Sequence, residues 1–282
     1  MRLNGFPGTV IVLTQNDEEN IQYCLESVAG WAAKVFVVDS FSVDRTVQIA
    51  KACGAEVVQH EFLDLASQRN WALDNLQLEG EWVFSLDSDE VVTEQLKEEM
   101  EIALARATPE VAAFAVKQAF IFLGRYLKHA QGGPFLVRIF RIGRARWYCE
   151  GARDYCLVDG RVEKLHSLIR HEDRKGLSAW TDKHNRYASW EARLLAHSLT
   201  DTLDSRAAHS TRGGVWRLRV RQMVYNRLPP VARAFLYFFY RYVIRGGFLD
   251  GLAGFAYCFL QALWYPLLVD LKLIELRRKQ HK

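Results

Sequence analysis

The sequence predicts an α/β protein with a mostly parallel sheet, followed by a helical tail. Three observations carry that reading. From Thr9 to Val92, short apolar β-branched runs alternate with helical patterns, and each run closes on polar or acidic residues. After Val231 the pattern changes to aromatic and aliphatic stretches interrupted by arginine.

Taken in order, Thr9 to Leu13 reads as a strand that stops at Thr14-Gln15-Asn16-Asp17-Glu18-Glu19-Asn20, and Ile21, Leu25 and Val28 follow at helical spacing. Lys34 to Val38 is a second strand closing on Asp39-Ser40. Ser42-Val43-Asp44-Arg45-Thr46 then opens a helix through Cys53, which Gly54 terminates. Ala55 to Gln59 is a short third strand, and Ala66 to Asn75 a helix carrying Gln68, Arg69 and Asn70 near its start. Trp82 to Leu86, bounded by Gly80, is a buried fourth strand that ends in Asp87-Ser88-Asp89-Glu90. Parallel strands joined by right-handed crossovers bring their carboxyl ends to one edge, where open α/β sheets bind ligands.

The residues at that edge suggest its ligand. Two carboxylates one residue apart, Asp87 and Asp89, suit a divalent cation that also holds a diphosphate. An acid after the second strand suits a ribose hydroxyl or a base edge, and Arg69 suits a phosphate. Singly, each residue also fits a structural role: Asn16 and Ser42 as helix N-caps, Asp44 as a first-turn acid, Gln68 and Arg69 as a solvated face. The first strand-to-helix turn lacks G-x-G-x-x-G, and no G-x-x-x-x-G-K-[ST] cradle occurs, which argues against a dinucleotide site and a P-loop ATPase.

Beyond the helix Thr93 to Ala107, Val111 to Val116 reads as a strand and Phe120 to Leu127 as an aromatic hairpin or loop. Gln131-Gly132-Gly133-Pro134 is a turn, and Phe135 to Arg141 a further strand bearing Arg138 and Arg141. Leu165 to Ile169 is strand-like and leads to His171-Glu172-Asp173. Trp180 to Leu195 is an amphipathic helix with Lys183 and Arg186.

The segments VIVLTQNDEENIQYCLESV, VFVVDSFSVDRTVQIAKACGAEV, QRNWALDN and WVFSLDSDEVV, in this order and spacing, resemble inverting family 2 glycosyltransferases of the GT-A fold, an αβα sandwich. Within them the chain is most similar to the bacterial lipopolysaccharide-core β-glucosyltransferase-like branch. The resemblance implies sugar transfer from a nucleotide donor, UDP-linked by expectation, with a divalent cation, Mn²⁺ or Mg²⁺. It puts Thr14, Asn16 and Glu18 in the first nucleotide loop, Asp39 at the uracil or ribose, and Gln68, Arg69 and Asn70 near the diphosphate. Asp87, Ser88 and Asp89 form the Asp-x-Asp motif, with Asp89 the direct metal ligand. At Gln15-Asn16-Asp17 the family more often has Lys-Asn-Glu. Arg138-Ile139-Phe140-Arg141 matches an Arg-x-Phe-Arg type strand of the branch. Ala152-Arg153-Asp154 stands where the branch has Val-His-Glu, which assigns the catalytic base to Asp154, with Glu150 the alternative. His171, where the branch often has a histidine, is a candidate to complete the metal shell. Lys183 and Arg186 are the remaining candidates for phosphate contact.

The chain of 282 residues carries a net charge of +4, unevenly spread: nine arginines and no acid lie between Ser205 and Leu249. The five cysteines form no C-x-x-C pair, so they read as reduced core residues of a cytoplasmic protein, and the N-terminus lacks a secretory signal. In the tail, Phe235, Leu236, Phe238, Phe239, Tyr242, Val243 and Ile244 are interspersed with Arg233, Arg241 and Arg245, the pattern of a helix at an anionic membrane surface. Gly251 to Val269 is uncharged but interrupted by Gly254, Gln261 and Pro266, which favours a shallow or re-entrant helix pair over a full span.

The expected organisation is a GT-A domain over residues 1–200, with a nucleotide half (9–92) and an acceptor half (93–200), then a basic, aromatic-rich helical tail (201–282). The expected activity is metal-dependent inverting transfer of a sugar to a membrane-linked glycan or glycolipid such as lipopolysaccharide core. The expected location is the cytoplasmic face of the bacterial inner membrane, peripheral or monotopic. A nucleotidyltransferase on the same edge and a catalytically silent nucleotide-sugar-binding protein are the alternatives. Nucleic acid is a weak reading of the arginine block, which is threaded with aromatics, and a homo-oligomer stays open.

Overall fold

The computed structural model of the chain describes residues 5–133, 135–150, 153–197 and 229–280. Ala152, Pro134, the Glu150 side chain and most of the arginine-rich stretch, all invoked above, lie outside the described residues. Two compact units form: Met1–Tyr126 with Gly133–Gly176, and Leu127–Gly132 with Leu177–Lys282.

In the first unit, β1 (Phe6–Thr14), β2 (Ala32–Asp39), β3 (Glu56–Gln59) and β4 (Trp82–Asp87) alternate with α1 (Ile21–Glu26), α2 (Thr46–Ala52) and α3 (Leu65–Asn75). β5 (Glu90–Val92), α4 (Glu94–Arg106), β6 (Val111–Phe122), β7 (Arg125–Tyr126), β8 (Phe135–Arg141), β9 (Ala145–Glu150), β10 (Arg153–Val158) and β11 (Arg161–His171) follow. The main sheet runs β3-β2-β1-β4-β8-β6-β11-β5, with β7 paired to β6. Its first four strands are parallel, whereas β8 and β5 run antiparallel to their neighbours. The sheet is therefore mixed beyond β4, where the sequence pattern no longer alternates regularly.

Strand alternation divides the core. Val10 and Val12 point to one face with Ile21 and Leu25 of α1 and Leu96 and Met100 of α4. Ile11 and Leu13 point to the other with Ala66 and Ala72 of α3 and Trp147 of β9. Helices on both faces of a parallel-rich sheet make the αβα sandwich of GT-A type. The chain leaves β1 sideways to β2 and returns across to β4, so β1 and β4 flank the point where strand order reverses. β1 and β4 stay paired up to Leu13↔Asp87, and the loops beyond those carboxyl ends are where open α/β sheets form a ligand crevice. Two glycines serve this layout. Gly54, φ 81°, ends α2, and Gly80, φ 77°, lets the chain enter β4 against the Pro7 carbonyl, where a Cβ would collide.

Two elements escape the sequence reading: the short strand β5 and the β9–β10 hairpin, paired from Ala145↔Val158 to Glu150↔Arg153. The cysteine expectation needs one correction. Cys24 and Cys258 are buried, Cys53 and Cys156 half-buried, but Cys149 is exposed: it shares the α3-facing side of β9 with Trp147, yet it lies at the N-terminal end of that helix, where its thiol donates to Asp64 Oδ1 at 3.1 Å.

The second unit comprises α5 (Gly176–His197), α6 (Pro230–Phe239) extended by a π-turn at Tyr240–Ile244, a 3₁₀ turn at Gly247–Asp250, α7 (Gly251–Cys258), a second π-turn at Phe259–Trp264, and α8 (Tyr265–Gln280). Gly247–Lys279 is one continuous helix, long and apolar enough by length and composition to cross a membrane. The Leu127–Gly132 segment is held inside this unit. The Asp250 carboxylate accepts the backbone N–H groups of Lys128 (3.3 Å), His129 (2.9 Å) and Ala130 (2.7 Å). Arg241 donates to the Ala130 carbonyl and to Gln131 Oε1.

Candidate active site

The crevice is built from the loops that leave β1, β2 and β4. After β1, Thr14 Oγ1 and the Gln15 N–H donate to Asp17 Oδ2, each at 3.0 Å, and Lys175 pairs with the same carboxylate. Asn16 takes a left-handed conformation, φ 52°, and ties this loop to the one after β2. Its N–H donates to Ser42 Oγ (2.7 Å), and its Oδ1 accepts from the Val43 N–H (2.9 Å). Glu18 pairs with Arg45 at 2.9 Å. Asn16 and Ser42 thus cap no helix; the N-cap positions of α1 and α2 belong to Asn20 and Arg45.

Asp39 closes β2 fully buried, accepting from the Ser42 N–H at 3.0 Å, from Ser42 Oγ, and from Gln59 Nε2 at 3.2 Å. Gln68 is buried as well, bonded to His60 Nδ1 (2.7 Å) and Ser40 Oγ (3.0 Å). Asn70 forms a two-way clasp with the Trp147 backbone, Nδ2 to O at 2.8 Å and N–H to Oδ1 at 3.0 Å, which fixes β9 on α3. Gln68 and Asn70 shape the crevice wall, while Arg69 between them points into it.

Arg69 and Arg138 organise the acids. Arg69, only 4% exposed, donates to Asp87 Oδ1 at 2.7 Å and to Asp154 Oδ2. Arg138 donates to Asp87 Oδ2 at 2.6 Å and to Glu90 Oε1 at 2.5 Å. Glu90 is fully buried and also accepts from Gln118 Nε2 (2.6 Å) and the Asp87 N–H (3.0 Å). Burial alone would raise the Asp87 carboxyl, but Arg138 and Arg69 outweigh it and hold Asp87 well below the usual carboxylate range. Burial pushes Glu90 up against the pull of Arg138, with Asp87 adding to the push. Arg138 itself is held protonated above its usual value by Asp87 and Glu90, although burial works against its charge. Two guanidinium groups thus bridge three carboxylates, and Asp89 adds a fourth acid two residues from Asp87.

Asp89 stands beside a histidine. His171 Nδ1 lies 3.4 Å from Asp89 Oδ1, and its ring stacks on Phe120 at 4.9 Å between centroids. The placement follows from register: β11 pairs His171 with Glu90 of β5 on one side and with Phe120 of β6 on the other. The Glu172 N–H also donates to the Asp89 carbonyl at 2.9 Å, pinning the strand end to the Asp-x-Asp turn.

The structure therefore brings Arg69, Asp87 and Asp154 into one bonded chain, and Asp89 and His171 into one pair. Thr14, Asn16, Glu18 and Asp39 lie in the two loops beside them, and Ser88 is buried in the turn between the two aspartates. Lys183 and Arg186 sit on α5 in the helical unit. Sequence reasoning missed Glu90, Gln118, Asp17 and Lys175, and saw Arg138 only as a strand residue. A single arginine between Val137 and Ile139 in an apolar strand is the signal that marks a charge aimed inward.

Residues 9–159 match the family model described as Glycosyl transferase family 2, which takes in more than half of the chain. The chain belongs to glycosyl transferase family 2. An uncharacterised glycosyltransferase of Rickettsia typhi is 30% identical to this family 2 chain over 117 residues, which are 41% of the chain and 39% of that protein. One of Rickettsia bellii is 33% identical over 97 residues, 34% of the chain and 32% of that protein. The chain thus spans well under half the length of these curated relatives. Among solved structures, a mannosyltransferase from Pyrobaculum calidifontis in complex with GDP-Man and Mn²⁺ superposes at a TM-score of 0.48 with 16% identity, over 97% of this chain and 89% of that one. S. aureus TarS 1-349 in complex with UDP-GlcNAc gives 0.47 with 18% identity, over 95% and 88%.

A divalent cation fits the family 2 site in a limited way. Asp89 and His171 offer a carboxylate oxygen and an imidazole nitrogen side by side, and the acids of the site outnumber its two arginines. Among the described residues no group of three or more His, Cys, Asp or Glu side chains is placed to hold a metal. Asp87 has both oxygens engaged by arginine. For a cation bound here, Asp89 and His171 would supply part of the coordination shell and oxygens of a bound ligand the rest.

Proposed function

We propose that this chain is a metal-dependent inverting glycosyltransferase that moves a sugar from a nucleotide donor, UDP-linked, to a hydroxyl of a membrane-linked glycan or glycolipid such as lipopolysaccharide core. The observation that carries the reading is the single chain of contacts Asp154–Arg69–Asp87–Arg138 at the carboxyl edge of the sheet, in a family 2 chain, with Asp89 and His171 beside it. A charged donor needs such an edge: cationic groups for a diphosphate, acids for a metal, and one carboxylate for the acceptor proton.

In this reading Asp39 receives the uracil or ribose, while the loop holding Thr14, Asn16 and Glu18 closes on the nucleoside. Arg69 and Arg138 are held by Asp87 in the positions a diphosphate would use, and Lys183 and Arg186 are further phosphate contacts. Asp89 and His171 would hold the cation, and Asp87 is the further carboxylate that would hold it. When bound, the cation absorbs charge on the departing nucleoside diphosphate. Asp154 takes the proton of the acceptor hydroxyl as that oxygen bonds to the anomeric carbon from the face opposite the leaving group. Glu150 is the competing base. The bond from the anomeric carbon to the diphosphate breaks, and its electron pair leaves with the phosphate oxygen.

Arg69 gives Asp154 a second task. The same guanidinium holds the base and the first aspartate of the motif, so its engagement by a diphosphate would free Asp154 toward the acceptor. The reading places the protein at the cytoplasmic face of the bacterial inner membrane, peripheral or monotopic.

Calorimetric titration of UDP into the full-length chain, with and without Mn²⁺ and alongside Asp89→Ala, is the test. Binding that needs both the cation and Asp89 is expected. Equal binding by wild type and Asp89→Ala, or binding indifferent to the cation, would remove the metal-dependent reading. Release of pyrophosphate from a nucleoside triphosphate, instead of UDP from a UDP-sugar, would move the assignment to nucleotidyl transfer.

A further inference from the structure

Soluble helical units bury apolar side chains and expose charge, but the stretch from Pro229 to Asp270 does the reverse. Five charged residues lie between Pro229 and Asp270: Arg233, Arg241, Arg245, Asp250 and Asp270. Four of them turn inward. Arg233 pairs with Asp270, Arg241 binds Ala130 and Gln131, and Asp250 caps three backbone N–H groups. Outward go the apolar residues. On α6 and its π-turn, Val231, Phe235, Leu236, Phe239, Tyr240, Val243 and Ile244 are exposed. Their spacing is that of one continuous helical stripe. On the following helix Phe248, Leu252, Phe255 and Phe259 are exposed, again at spacings of three and four. Phe255 packs on Phe238 (6.3 Å) and Tyr242 (5.6 Å), so the two stripes meet in one aromatic seam and form one apolar face.

We infer that this face is a lipid-inserting surface, and that α6 to α8 lie in the plane of one leaflet of an anionic bilayer without crossing it. The inference deepens the membrane placement proposed above and needs nothing of the sugar chemistry. An aqueous surface would not carry so many large apolar groups on adjoining stripes, whereas a leaflet supplies them with hydrocarbon. The stripe is one-sided: Ala253, Tyr257, Cys258, Ala262 and Leu263 on the opposite side of the same helix are buried within the protein. Both acids that bracket the apolar run are satisfied within the protein, Asp250 by the N–H groups of Lys128, His129 and Ala130 and Asp270 by Arg233. The charge complement lies at the margins. Among the described residues Arg245, Arg277, Arg278 and Lys279 are exposed there. Basic residues beside an apolar face are what anionic headgroups attract.

The test is flotation of the full-length protein with vesicles of phosphatidylcholine alone or with a quarter phosphatidylglycerol, for wild type and for Ile244→Glu with Leu252→Glu. Both side chains are well exposed, so the fold should tolerate the change. Wild type should float with the anionic vesicles and less with the neutral ones, and high salt should weaken it. The double variant should partition roughly tenfold less or worse, with unchanged thermal melting and unchanged UDP binding. Wild type that stays at the bottom of the gradient, or a double variant that floats as well as wild type, would overturn the inference. So would a dimer in sedimentation that the double variant splits, which would give the face to a second copy of the chain. An epitope after Lys282 should be cleaved from the same side of sealed proteoliposomes as one before Met1; cleavage from opposite sides would establish a span and overturn the in-plane arrangement. Loss of UDP binding with flotation intact would instead strike the donor reading.

Discussion

Both units bury arginine against carboxylate, and they do so to different ends. At the sheet edge Arg69 and Arg138 each bridge two acids, and the acids outnumber them. In the helical unit the charges are matched locally: Arg233 with Asp270, Asp250 with backbone N–H groups, Arg241 with a carbonyl and an amide. An acid surplus at a crevice can be redistributed when a charged ligand arrives. A locally closed set has nothing left to offer and serves to hold helices and a loop together. The sheet unit thus keeps its charge available, and the helical stretch from Pro229 to Asp270 turns four of its five charges inward.

Substitutions can break this contrast. The largest effect belongs to Asp154→Asn, which should cut UDP release from a UDP-sugar in the presence of acceptor by about 10²–10⁴, while UDP binding persists. Glu150→Gln, assayed in parallel, should lose far less, and the reverse ranking would make Glu150 the base. Next comes Arg138→Met, which leaves Glu90 and Asp87 without their shared cation and should cost about 3–5 kcal/mol in urea unfolding. Full retention of stability would mean that the acids are solvated or protonated without it. Asp250→Asn should cost less, about 1–3 kcal/mol, because an amide oxygen can keep some of the three N–H bonds. Proteolysis should then begin at Leu127–Gly132. An intact loop under limited proteolysis would show that Arg241 alone holds it.

The smallest effect is a pH-dependent one. Burial alone would raise the Glu99 carboxyl, but the N–H groups of His166 (2.8 Å) and Ser167 (2.7 Å) outweigh it and hold it below its usual value. A carboxyl lowered in the folded state contributes stability above its unfolded pKa, and loses it as pH falls through the folded one. Glu99→Gln should therefore cost about 0.5–1.5 kcal/mol at neutral pH, with the gap to wild type closing in acid below about pH 4. A gap that does not change with pH would assign the effect to packing of α4 on β11.

The alternation up to Val92 was legible because it is local: strands and helices there follow one another with their own periodicity and their own stops. Asn16, Asp39, Arg69, Asp87 and Asp89 could be placed at one edge from chain order alone, since parallel connection leaves no other place for strand ends. Gln68 was legible as a position but not as a role, because its burial under His60 and Ser40 depends on a loop that no periodicity describes. β5 was invisible at three residues, and the β9–β10 hairpin lacked a recognisable turn signal.

The layered α/β class, the family and the acid-bearing strand ends could be read from the chain, since each rests on patterns within a few residues or on a motif in order. Which acids meet which arginines is set by folding alone. Arg69 and Asp154 are 85 residues apart, Arg138 and Asp87 51, and Asp250 reaches Ala130 across 120. Nor could periodicity tell that the stretch from Pro229 to Asp270 turns four of its five charges inward and a stripe of aromatics outward. Which side of a helix is the inside depends on what packs against it, and that is not written in the helix.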